Sequence, residues 1–133
     1  MLAVLIKIPG GSCAQAHELY ARAFGMVVRS VTYNDEAPAG YHEAPLAEAA
    51  RKLVLHSECS LFGTRVNMSD DANIAASTGA FNVFLPTEAE VLRAFDILKE
   101  GGVVEHAPAP VFWSPLFCVV ADRFGVKWSV MVE

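Results

Sequence analysis

The stretch Val111–Val130 reads VFWSPLFCVVADRFGVKWSV. An aromatic, β-branched run breaks at Ala121-Asp122-Arg123-Phe124-Gly125 and then resumes. Two such runs joined by a short turn with Asp and Gly predict a β-hairpin, with strands at Phe112–Ala121 and Lys127–Val132. Successive strand side chains point to opposite faces. Trp128 and Ser129 therefore cannot share a face. The bulky indole suits a helix-covered core, which leaves Ser129 and Met131 on the other side. Trp113 follows the break Ala107-Pro108-Ala109-Pro110, where it suits either a pocket wall or the core. Asp122 and Arg123 shape the turn.

Outward from this hairpin an order of elements appears twice. Upstream lie a strand at Ala80–Leu85, a cap at Thr87 and a helix at Glu88–Lys99. That helix carries an apolar stripe of Val91, Leu92, Phe95 and Leu98 and stops at Gly101-Gly102. A short strand, Val103–His106, precedes the Ala-Pro-Ala-Pro break. The first half opens with a strand at Leu2–Ile8 and a cap at Ser12. An amphipathic helix, Cys13–Phe24, follows and ends at Gly25. Strands then read at Met26–Tyr33, Leu53–Phe62 and Thr64–Met68. A long polar connection, NDEAPAGYHEAP, and a short helical segment, Leu46–Lys52, separate the first two of these strands. So long a connection suits a lid, a binding loop or a solvated excursion. The stretch from Ser69 to Gly79 reads as turn and linker.

Each half is thus strand, helix, then three strands. An offset of 76 residues places Gly25 on Gly101 and the Gly10 turn on Pro86, a match of order and punctuation. The expectation is an α+β protein of two βαβββ modules, 1–73 and 79–133, sharing one domain over 1–133.

The bulk properties fit that size. The chain has 133 residues, 53% hydrophobic and 19% charged, with a formal net charge of -5. Its ten Lys and Arg are scattered, so there is no basic stripe to bind nucleic acid. The apolar run MLAVLI is cut by Lys7 and Pro9, far short of a membrane span, and has no signal-peptide pattern. A cytoplasmic protein is expected. The odd count of three cysteines, Cys13, Cys59 and Cys118, argues against a disulfide framework. Cys59 and Cys118 read as buried thiols, and Cys13, at a helix start, as one with a somewhat lowered pKa.

Three segments together resemble the PhnB-like branch of the vicinal oxygen chelate superfamily, which contains glyoxalase I, extradiol dioxygenases and bleomycin-resistance proteins. GGSCAQAHELYARAFG (10–25) is similar to its opening turn and helix, LHSECSLFGTRVNMSDD (55–71) to its central hairpin, and FW…DRFGVKWSV to its ending. The resemblance implies two βαβββ modules forming a curved mixed sheet around a cup. It also implies a homodimer, and pairing would cover the open sheet edges of short modules. The branch is sometimes labelled 3-demethylubiquinone methyltransferase-like. The chain is short for a nucleotide-methyl donor domain and has no glycine-rich cofactor loop.

Enzymes of the superfamily hold one divalent metal with His or Glu on the first and last strands of each module. Carried onto this chain, those positions fall on Ile6, Asn67, Asn82 and Ser129. None offers an imidazole or a carboxylate, so no metal and no cofactor are expected. Parity places His56, Glu58, Arg65, Asn67, Asn82, Phe84, Ser129 and Met131 on the cup side, with Trp113 at its mouth. Such a lining describes a site for a small organic molecule. His56 and Glu58 equally suit a surface or dimer-interface pair. If the metal positions are misplaced, that pair is the best alternative for a metal-dependent isomerase or dioxygenase.

Overall fold

A computed structural model of the chain describes residues 1–72 and 79–133; the linker reading falls partly on 73–78, outside the described residues. The chain divides into two compact units, Met1–Ile74 and Ala75–Glu133.

In the first unit the order is β1 (Val4–Ile8), α1 (Cys13–Phe24), β2 (Val27–Tyr33), β3 (Val54–Leu61) and β4 (Thr64–Asp70). The sheet order is β1-β4-β3-β2, with β1 parallel to β4 and the other pairs antiparallel. The second unit repeats it: β5 (Phe81–Leu85), α2 (Glu88–Leu98), β6 (Val103–Val111), β7 (Ser114–Ala121) and β8 (Lys127–Val132), in sheet order β5-β8-β7-β6. Two four-stranded mixed sheets, each with one helix, are the architecture the duplicated pattern calls for.

Each helix packs on one face of its own sheet, α1 against β1, β3 and β4, α2 against β5, β7 and β8. The period-2 rule follows from this. Ser57, Cys59 and Leu61 of β3 are buried, as are Val66 and Met68 of β4, beneath α1. In the second unit Val83, Leu85, Cys118, Val120, Trp128 and Val130 fill the corresponding layer.

Local chemistry explains the element ends. Thr87 caps α2 by accepting from the Glu90 N–H at 3.2 Å. Ser12 does not cap α1 with its side chain. Instead Asp70, 57 residues away at the end of β4, accepts from the Cys13 N–H at 2.9 Å and from the Val54 N–H at 2.7 Å. The β3–β4 hairpin turns at Phe62-Gly63 with φ of 50° and 76°, the double positive φ of a type I′ turn.

The structure departs from the sequence reading at four elements. Strand β6 does not stop at His106 but runs on through Pro108 and Pro110 with shifts of register. It is an edge strand, where a missing N–H costs little. The expected helix at 46–52 is a single 3-10 turn, Glu48–Ala50. On α2, Ala94 rather than Leu92 completes the buried stripe, and Leu92 is exposed. Ile6 belongs to the helix-covered layer; the sheet pairs Leu5, not Ile6, with Asn67.

Candidate functional site

The helix-free face of each sheet carries the candidate residues. In the first unit the cross-strand row is Leu5, Asn67, Glu58 and Ser30. Glu58 and Arg65 form an ion pair at 2.9 Å, and the Arg65 Nε–H donates to Asn67 Oδ1 at 3.4 Å. The expected partnership of His56 with Glu58 is thus replaced by one of Arg65 with Glu58. His56 stands next along β3, exposed, paired across the ladder with Thr32.

In the second unit Asn82, Ser129, Val119 and His106 form one row. Phe84, Met131, Phe117 and Ala109 form the next. Ser129 and Met131 are buried at the sheet centre, and Phe84 is 55% exposed. Trp113 is 53% exposed and meets Phe117 edge to face at 5.2 Å between ring centroids. His106, read from sequence as the last residue of a short strand, is in the same row as Ser129. The Ala-Pro-Ala-Pro segment had hidden the continuation of its strand.

Trp128 has the opposite fate. It is fully buried, and its indole N–H donates to Asp122 Oδ2 at 2.9 Å. The other oxygen of Asp122 accepts from the N–H groups of Phe124 and Val126 at 2.9 and 3.1 Å. The Asp-Arg-Phe-Gly turn is therefore built around one buried carboxylate that also anchors the core tryptophan.

The segment between β2 and β3 is pinned back on itself. Asn34 Nδ2 donates to the Ala50 carbonyl at 2.8 Å, and His42 Nε2 donates to the Asn34 carbonyl at 2.9 Å. Lys52 pairs with Asp35 at 2.9 Å, which lowers the Asp35 pKa and raises that of Lys52. The segment encloses a depression of about 360 Å³ lined by Asn34, Asp35, His42, Leu46 and Arg51, among others.

Beneath α1 lies a buried polar group. The Ser57 hydroxyl donates to the Met68 carbonyl at 2.8 Å, so its oxygen accepts from His17 Nε2–H at 2.9 Å. Burial pushes the His17 pKa down, and Asp70 opposes the shift. Cys13 Sγ lies 3.7 Å from His17 Nε2. Burial, then the charge of Asp70, pushes its thiol up to about 12, against the lowered value expected at a helix start. Burial also raises Cys59, and it lifts Cys118 to about 11.

Of the four positions that the resemblance assigns to metal ligands, Asn82 and Ser129 pair directly across the second sheet, whereas Asn67 pairs with Leu5 and Ile6 lies in the helix-covered layer. A hydrocarbon, two carboxamides and a hydroxyl do not suit a transition metal. Glu58, the nearest carboxylate, is engaged by Arg65. Among the described residues no group of three or more His, Cys, Asp or Glu is spaced to hold a metal ion. Among them, too, no helix is long and apolar enough to cross a membrane.

Known proteins share this architecture. The chain is similar to protein YjdN of Escherichia coli (strain K12), 26% identical over 130 residues, covering 92% of this chain and 88% of that protein. A PhnB protein from Bacillus cereus has a TM-score of 0.79 at 18% identity, covering 99% and 98% of the two chains. Protein PA1353 from Pseudomonas aeruginosa has a TM-score of 0.76 at 25% identity, covering 100% and 98%. The family model of the Glyoxalase/Bleomycin resistance protein/Dioxygenase superfamily matches residues 3–130. The chain belongs to that superfamily, in the company of its PhnB-like proteins.

Proposed function

We propose that this protein binds a small organic molecule on a helix-free sheet face, without a metal, and acts as a cytoplasmic homodimer. One observation carries the reading. The side of the second sheet turned away from its helix presents Asn82, Ser129 and His106 beside Phe84, Met131, Phe117 and Trp113, a few polar groups in an apolar surround; the same side of the first sheet is mostly polar, with Arg65, Glu58, Asn67, Ser60 and Ser30 around Leu5. Sparse polar groups in an apolar lining are what orient a bound organic molecule. His56 adds an imidazole to that face of the first sheet.

The metal-free reading rests on donor chemistry: the positions that the resemblance assigns to ligands hold Asn67, Asn82, Ser129 and Ile6, whose neighbour Leu5, beside Asn67, is no better a donor. The dimer rests on sheet edges. Val27 and Val28 on β2, and Val103 and Val104 on β6, are exposed apolar residues on edge strands, which pairing with a second copy would cover. The compartment rests on three buried free thiols, which suit a reducing environment.

A thermal-shift screen of metabolites and aromatic drugs, run with and without EDTA, tests the function. Stabilisation by one compound class, unchanged by the chelator, is the expected result. Stabilisation that needs added divalent metal would favour a metal-dependent isomerase or dioxygenase instead. Light scattering should give about twice 14.3 kDa; a monomer at tens of micromolar removes the dimer.

A further inference from the structure

Two rows of side chains cross the second sheet on its helix-free face, two residues apart along β5, β7 and β8 and so about 7 Å from each other there, and three apart on β6, where the register shifts between His106 and Ala109. The first, Asn82, Ser129, Val119 and His106, is mixed in polarity; the second, Phe84, Met131, Phe117 and Ala109, is apolar. Rings continue the second row. Phe117 meets Trp113 at 5.2 Å, and Trp113 meets Phe112 at 4.6 Å, both nearly perpendicular. On the other side Phe117 meets the His106 imidazole at 5.1 Å. Four aromatic rings thus form an unbroken chain that leads to the polar row, with Phe112 97% exposed at its far end.

The polar row has a definite hydrogen-bonding sense. His106 Nδ1 lies 2.9 Å from the Ala107 carbonyl. A carbonyl only accepts, so Nδ1 carries the proton and Nε2 of the neutral ring is an acceptor. Ser129 and Asn82 stand in the same row with groups that donate or accept. Lys127, which shares the parity of Ser129, is paired with Glu105 at 3.2 Å, so this face offers no unbalanced charge there.

The geometry points to a neutral hydroxyaryl compound as the occupant of this face: an aromatic ring packed on Trp113 and Phe117, with its hydroxyl donating toward His106 Nε2. The inference deepens the proposed function and rests on this face being a binding surface. Edge-to-face contact favours an aromatic over a saturated ring. A donor is favoured over its methyl ether because the ether leaves the acceptor unpaired.

The test uses the full chain and three probes: 2-naphthol, 2-methoxynaphthalene and the saturated alcohol trans-2-decalol. Binding is followed by ¹H–¹⁵N NMR, in which the indole N–H signals of exposed Trp113 and buried Trp128 are separate reporters. 2-Naphthol should shift Trp113 and Ser129 and bind roughly two- to tenfold tighter than its methyl ether, the range expected for one net hydrogen bond. Trans-2-decalol should be the weakest. His106→Phe should erase the advantage of 2-naphthol over the ether, with an unshifted Trp128 signal reporting an intact core. Equal affinities for naphthol and ether, or shifts away from this face, would overturn the inference. Hits of the metabolite screen that bind only near Glu58 and Arg65 overturn it and leave the proposed function standing. No binding by any compound of the screen or the series defeats both.

Discussion

The Trp128 indole N–H and the Asp122 carboxylate meet at 2.9 Å inside the second unit, with Asp122 only 4% exposed. One side chain thereby ties the turn before β8 to the core beneath α2. The same carboxylate holds the Phe124 and Val126 N–H groups. Asp122→Ala takes the acceptor from three donors, two of them buried, and should cost about 3 kcal/mol in urea unfolding. Trp128→Phe keeps most of the packing and should cost less. An Asp122→Ala variant as stable as the parent would show that the turn is held by other means.

On the first sheet the pair Glu58–Arg65 is part-exposed on both sides, so its coupling should be small. A double-mutant cycle of Glu58→Gln and Arg65→Met should give at most about 1 kcal/mol. His56→Ala and Glu58→Ala should each leave stability within about 1 kcal/mol of the parent. Losses of several kcal/mol would assign these residues to architecture rather than to a binding face.

Acid should weaken the protein through His17. Burial lowers its folded pKa below the ordinary 6.5, so the unfolded chain binds the proton more readily. The stability this contributes is complete above about 6.5 and is lost as pH falls from there toward the folded value. Unfolding free energy measured between pH 7 and 5 should decline, and His17→Gln should flatten part of that slope. An unchanged slope would mean that His17 is not the group responsible.

The thiols should be inert in the native state. With Cys13 at about 12, roughly one part in ten thousand is thiolate at pH 8. Cys118, at about 11, and the raised, buried Cys59 follow the same logic. Native protein should react with a thiol reagent far more slowly than denatured protein, in which all three become titratable. A fast-reacting thiol in the folded state would contradict this burial.

The duplicated order of elements was legible because turns and helix ends are punctuated by Gly, Pro and Thr, and because strand parity is binary. Once Ser57, Cys59 and Leu61 were assigned to a helix, Glu58 and Ser60 had to face away. The same binary character made an error costly. An offset of 76 rather than 77 put Ile6 where the register puts Leu5, and a one-residue slip moves a side chain to the other face. His106 was hidden because prolines read as a break, whereas an edge strand accepts them. Asp70 as the cap of α1 was invisible, since the contact spans 57 residues and no local pattern announces it. The aromatic chain from Phe112 to His106 likewise exists only after β6 and β7 pair.

The central claim is that a small molecule binds a helix-free face without a metal. The most direct measurement is a ¹H–¹⁵N shift map of the protein with the best compound from the screen, recorded in EDTA. The account predicts saturable shifts concentrated on a helix-free face, at Asn82, Phe84 and Ser129 of the second sheet or at Glu58 and Asn67 of the first, unchanged by the chelator. Shifts that vanish in EDTA, or that fall on the α1 and α2 sides of the sheets, would contradict it.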